Sequence, residues 1–224
     1  LITLWNSFKV SIAVTIITLI IGVPLAYLYN MYEIKGKGLL QIIIILCSMS
    51  APFIGAYSWI LMLGNSGIIR KTIKSVLGIT LPSIYGFNGI LLVLSLQLFP
   101  LVFLYVSGAM KNIDNSLLEA AESMGCKGIK RFLTVIVPLC MPTILAAMLL
   151  VFMRAFADFG TPLLIGQGYR TFPVEIYNSF MSETGGDTHF ASAVAVIAII
   201  ITAVIFLFQR FVNSKFQFTM NALH

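Results

Sequence analysis

The sequence predicts an all-α membrane protein, with about five transmembrane helices and a helix-turn-helix connector on the cytoplasmic side. Three observations carry this. The 224 residues are 59% hydrophobic and 10% charged, with a mean hydropathy of +0.99, whereas soluble domains keep roughly a quarter of their residues charged. The apolar residues fall in blocks of about 20, and at about 1.5 Å per residue such a block covers the roughly 30 Å hydrocarbon layer. The blocks lack the period-two alternation of barrel strands. The membrane domain is assigned to residues 1–224, and the connector to residues 111–142, where charge, glycine and proline concentrate.

Five spans are expected near Val10 to Tyr29, Leu39 to Leu63, Ile90 to Gly108, Thr143 to about Phe159, and Phe190 to Phe211. If MYEIKGKG and the long connector both face the cytoplasm, Lys35, Lys37, Lys111, Lys127, Lys130, Arg131, Arg210 and Lys215 lie inside. Lys9, Arg70, Lys71, Lys74 and Arg170 then lie outside, a modest bias in the direction of the positive-inside rule. Much of the outside charge sits in GIIRKTIKSVLG, where Ile69, Ile73, Val76 and Leu77 recur at helical spacing opposite Arg70, Lys71 and Lys74. That pattern fits a helix in the outer interface or a loop helix packed on the spans. Pro24, Pro52 and Pro100 lie in or near three spans, either as breaks lining a moving pathway or as ordinary membrane-helix prolines. An odd number of spans places Leu1 outside. With no Met and no charged leader at its start, the chain is expected to be a segment of a longer protein with a further N-terminal span.

The basic residues form no stripe of the kind that tracks nucleic acid. Cys47, Cys126 and Cys140 show no metal-like spacing and are expected as free thiols, with Cys47 buried in the second span. His189 and His224 lie outside the spans, and neither HExxH nor GxSxG occurs. No catalytic or metal-binding set is therefore predicted. A phosphate-binding GxxxxGK[ST] is also missing, so ATP chemistry would reside in another subunit.

The connector, LLEAAESMGCKGIKRFLTVIVPLCMPTI, is long for a simple turn. SLLE at Ser116 to Glu119 fits a capping box that opens a short helix. Leu117, Ala121 and Met124 would share one face, Glu119 and Glu122 another, and Gly125 is placed to end the helix in a left-handed conformation. A second helix, Ile129 to Ile136, would carry Lys130 and Arg131 to Pro138, where the chain turns back to the membrane.

The order Glu119, Ala120, Ala121, then Gly125, Val135, Val137 and Pro138 resembles the EAA loop in membrane subunits of bacterial ATP-binding-cassette importers of the type I, MetI-like family. Val135 and Val137 replace that family's usual Ile and Leu. NSFKVSIAVTIITLIIGVPLAYL is similar to the family's first conserved span. PFIGAYSWILMLGNSGII and FADFGTPLLIGQGYRTFPVEIYNSF resemble the branch that imports ferric iron, polyamines, aminophosphonates or thiamine. The resemblance implies a permease core in the bacterial cytoplasmic membrane, working by alternating access. Its implied partners are a cytoplasmic ATPase dimer that binds ATP and Mg²⁺, an extracytoplasmic binding protein and a second permease domain, as homodimer or tandem. Glu119, Ala120, Ala121 and Gly125 would dock the ATPase, with Val135, Val137 and Pro138 fixing the second arm.

Ferric iron is the expected cargo, followed by a polyamine or an aminophosphonate. Gln97, Pro100, Arg154 and Asp158 are the candidate pathway residues. Arg154 and Asp158, four apart, could be a helix-ending ion pair or a gate, and a secondary transporter or channel would use such groups as well. The loop from Gly160 to His189, with Tyr169, Glu175, Glu183 and Asp187, would either face the cargo or its carrier, or support a gate.

Overall fold

Helix follows helix through the computed structural model, which describes residues 2–49, 51–78, 82–181 and 188–221, and no strand occurs among them. In chain order these are α1 (Ile2–Met31), α2 (Lys37–Ser48), α3 (Pro52–Leu63), α4 (Ile68–Leu77), α5 (Phe87–Lys111) and α6 (Asn115–Ser123). A continuous rod follows, made of α7 (Gly128–Arg131), a π-helical turn (Phe132–Ile136) and α8 (Val137–Ala157). The short helices α9 (Gly160–Ile165) and α10 (Phe172–Met181) lead to the long α11 (Thr188–Asn221).

The core forms where α1, α5 and α8 pack on one another. Val10 and Val14 from α1, Ile90, Val93, Val102 and Phe103 from α5, and Ala147 and Val151 from α8 are all fully buried there. Small residues permit the close approach of α1 and α5. A Cβ on Gly22 would stand 2.8 Å from Val102 Cγ1 and 3.3 Å from the Phe103 amide nitrogen. Hydroxyls within α1 are satisfied by the helix itself: Ser11 and Thr15 each donate to the carbonyl four residues back at 2.7 Å, and Thr18 to Thr15 at 2.9 Å. Their polarity is thus hidden from the apolar surroundings.

Two ends of the bundle are tied down separately. At one end, Asn6 Nδ2 donates to the Arg170 carbonyl (3.1 Å), the Phe172 amide to Ser7 Oγ (2.9 Å), and the Gly86 amide to the Ile165 carbonyl (2.8 Å). At the connector end, Asn30 Nδ2 donates to Ser107 Oγ at 2.9 Å and the Tyr29 hydroxyl to Gln41 Oε1 at 2.8 Å.

Several expectations need correction. Among the described residues four helices are long and apolar enough to cross a membrane, Ile2–Met31, Phe87–Lys111, Gly128–Ala157 and the Thr188–Val212 part of α11, and a bent pair of helices taken as one span brings the number to the expected five. The second span is not one helix. Its first arm, Lys37–Ser48, meets Phe53–Leu77 at 108°, with α3 starting at Pro52, which has no amide hydrogen to continue a ladder. Pro24 and Pro100, by contrast, lie inside unbroken helices. The fourth span begins at Gly128, some 15 residues before the expected Thr143, because the chain does not turn at Pro138. The π-helical turn absorbs that proline instead: the Val137 amide bonds the Phe132 carbonyl five residues back, a shift in the ladder just before the position where a proline ring would clash with an ordinary i−4 carbonyl. Cys47 is exposed on α2, while Cys140 is buried.

Candidate functional site

The connector helix α6 opens on Asp114, whose Oδ1 accepts from the Ser116 amide at 3.0 Å. This replaces the expected Ser116 capping box. The cap thus lies two residues before the expected one, and the hydrogen bonds from Ser116 hold the Asp114 carboxyl below the usual carboxylate range. The helix ends as expected on Gly125, at φ 84°. Its Gly125 amide bonds the Glu122 carbonyl at 3.0 Å and the Cys126 amide bonds Ala121 at 2.9 Å, the paired bonds of a Schellman ending.

The inward face is Leu118 and Ala121, both buried. It is not the expected Leu117, Ala121 and Met124 face, since Leu117 and Met124 are exposed. They are exposed together with Glu119, Ala120 and Gly125. Ile129 and Leu133 are also exposed nearby in sequence. Of the seven connector candidates, Glu119, Ala120 and Gly125 thus face outward and Ala121 packs inward. Val135 lies in the π-helical turn, half-buried like Val137, and Val137 and the exposed Pro138 open α8.

Contacts that the sequence did not flag join this helix to the spans. Glu122 pairs with Arg131 at 3.4 Å and reaches Lys127 at 4.0 Å. The Tyr27 ring of α1 lies against Phe132 with centroids 4.7 Å apart, and its hydroxyl donates to the Gly128 carbonyl at 3.3 Å. An aromatic residue near the end of a span, ahead of a basic loop, is the only trace of this junction in the sequence.

At the opposite end, Gln97, Arg154 and Asp158 meet around one cavity of about 380 Å³, which Phe53, Leu94, Leu98 and Phe159 also line. Pro100 is absent from the lining and is buried within α5. Arg154 and Asp158 form no ion pair among the described residues. Since α8 ends at Ala157, Asp158 is off the helix, and its Oδ2 accepts from the Thr161 amide at 3.0 Å. Arg154 lies about 39 Å along the rod from Gly128 and is exposed to the cavity. Gln97 Oε1 is buried without a hydrogen-bond partner among the described residues, and Gln97 also lines a second cavity of about 390 Å³ with Cys47, Ser58 and Trp59. The aromatic wall was not anticipated: Phe159 stands 5.9 Å from Phe53 and 5.2 Å from Tyr177.

In the segment between α8 and α11, Glu175 is paired with Arg170 at 3.5 Å. Tyr169 packs on Phe87 at 5.2 Å, and burial pushes its phenol up from the ordinary value. Glu183 and Asp187 lie outside the described residues.

Residues 18–217 match the family described as the inner membrane component of binding-protein-dependent transport systems. The putative ferric transport system permease protein FbpB 1 of Haemophilus influenzae is 28% identical over 91% of this chain, which spans 32% of that protein. The spermidine/putrescine transport system permease protein PotB of the same organism is 32% identical, over 92% of this chain and 73% of its own length. The molybdenum transport system permease protein ModB of Escherichia coli K12 is 26% identical, over 91% and 89%. The chain therefore spans about a third of the ferric relatives and most of the other two. Among solved structures, a bacterial alginate importer superposes with a TM-score of 0.75 at 17% identity, covering 94% of this chain and 78% of that one. The inward-facing MetNI methionine ABC transporter gives 0.69 at 17% identity, over 95% and 94%. At these identities the structures speak for the fold.

Proposed function

Because this chain belongs to the family of inner membrane components of binding-protein-dependent transport systems, we propose that it is the permease unit of an ATP-driven importer. It would move a small solute across the bacterial cytoplasmic membrane by exchange between inward-open and outward-open populations. The observation that carries this reading is the outward face of α6, with Glu119, Ala120 and Gly125 exposed on a helix anchored to the 30-residue rod. Exposed apolar side chains beside a charged rim suit a helix that lies in a partner's groove. ATP and Mg²⁺ belong to the partner ATPase dimer, and this chain needs no cofactor of its own. An extracytoplasmic binding protein delivers the cargo, and a second permease domain, as homodimer or tandem, completes the pathway.

Ferric iron is the favoured cargo, supported by the resemblance of the stretch around Phe159 to ferric permeases. Fe³⁺ is a hard ion that seeks oxygen ligands, and the cavity offers it Asp158 and Gln97 beside the positive Arg154. Affinity would accordingly reside in the delivering protein, with the permease passing the ion onward. One observation favours a second reading: Arg154, exposed to the cavity and in no ion pair among the described residues, suits an anionic cargo such as a phosphonate or another oxyanion. Uptake by vesicles holding the reassembled complex separates these. Radiolabelled ferric iron that accumulates only with ATP and the binding protein supports iron. Its failure beside robust oxyanion uptake sinks iron and leaves the importer standing.

A further inference from the structure

We infer that α4 is a binding surface for anionic phospholipid headgroups, lying along the bilayer at the end of the molecule opposite the connector. This helix immediately precedes α5, whose far end leads into α6, so the two helices are separated by the length of a span. At about 100° per residue, Ile68, Ile69, Ile73, Val76 and Leu77 fall on one half of α4, and Arg70, Lys71 and Lys74 on the other. Nothing on it is buried: Ile68 and Val76 are 73% exposed and Leu77 64%. Its principal neighbour is α3, whose last turn carries the exposed Leu61 and Met62, so the open apolar surface continues from one helix to the next.

Among the described residues the charge has no ion-pair partner. No acidic residue occurs between Glu33 and Asp114, and no ion pair engages Arg70, Lys71 or Lys74 among the described residues. Arg70 donates to the neutral Asn65 Oδ1 at 2.9 Å. In the orientation of the proposed importer these three cations lie on the outer side, against the usual topological bias, and call for compensation where they stand. An acidic soluble partner could answer the basic half but would leave the apolar half in water. A bilayer surface with anionic headgroups answers both, with acyl chains under the isoleucines and phosphates beside the snorkelling lysines.

The test uses the chain assembled with its ATPase in nanodiscs of phosphatidylcholine containing about a third phosphatidylglycerol, with a photoactivatable analogue of either lipid added in trace. The expected result is preferential capture of the phosphatidylglycerol analogue on the peptide carrying residues 65–78. Arg70→Gln, Lys71→Gln and Lys74→Gln should each lower that capture by up to roughly fivefold, with phosphatidylcholine capture unchanged. Equal capture of both analogues by the unmodified chain, or capture indifferent to the triple substitution, overturns the inference. So does loss of lipid capture in favour of cross-links to an added binding protein, which would assign the helix to that partner. Cargo-stimulated ATP hydrolysis, read in the same nanodiscs, tests the importer assignment separately, since lipid capture does not depend on it.

Discussion

Arg131 Nη1 lies 3.4 Å from Glu122 Oε2, and this contact bridges the two arms of the connector, from the last turn before Gly125 to the start of the rod. The two partners differ in environment. The Arg131 side chain is 18% exposed and its Nε is buried without a partner among the described residues, whereas Glu122 is 50% exposed. Half-exposed ion pairs contribute about 0–1 kcal/mol. Glu122→Gln is therefore expected to leave α6 folded and to lower cargo-stimulated ATP hydrolysis a few-fold at most. Arg131→Ala also removes packing beneath α6 and should act more strongly. Comparing basal with cargo-stimulated rates checks this, since loss of coupling lowers the second and spares the first.

Gly125 presents open space to an added Cβ, with nothing within 4 Å, yet it sits at φ 84°. The cost of a side chain there is conformational, about 1–2 kcal/mol for a residue such as Leu and less for Asn. Gly125→Leu should therefore weaken capture of the ATPase by the membrane-inserted chain, and Gly125→Asn should retain more of it. Equal capture by Leu and Gly chains would contradict the docking role.

The Gly22 approach is steric. Gly22→Leu drives a side chain into Val102 and the α5 backbone, which for a packed interior costs about 1–3 kcal/mol. A lower unfolding temperature in detergent is expected. Partial recovery in the Gly22→Leu/Val102→Ala double variant would locate the clash.

Asp114 gives the connector an acid sensitivity. Its carboxyl in the folded chain lies below its unfolded value, so the cap stabilises α6 fully above the unfolded value and is lost as pH falls through the folded one. Protection of the Ser116 amide, taken relative to its intrinsic exchange rate at each pH, should fall across that acidic window. Asp114→Asn, an equally good cap without a titrating group, should flatten the response.

Much of this architecture was legible in the sequence, because spans announce themselves through long apolar runs and Gly125 marks a helix end by being the residue that tolerates positive φ. What escaped was the geometry that depends on a neighbour. Pro138 reads as a stop in one dimension, but a π-helical turn can shift the ladder and carry the helix past it. Ser116 and Glu119 match a capping box, yet Asp114 takes the Ser116 amide first. Arg154 and Asp158 have the spacing of a helical pair, and only the end of α8 at Ala157 separates them. Gln97 and Phe53 meet at one cavity because α3 folds over α5, a consequence of the break before Pro52 that composition does not reveal.

The most direct test of the coupling account is site-specific photocross-linking along α6 in the working complex. A photoreactive residue at the exposed Ala120 is expected to capture the ATPase with a yield that changes on ATP binding, while the same residue at the buried Leu118 should capture only this chain. Cross-linking to the ATPase from Leu118 but not Ala120, or none from Ala120 in a complex that still transports, would contradict it.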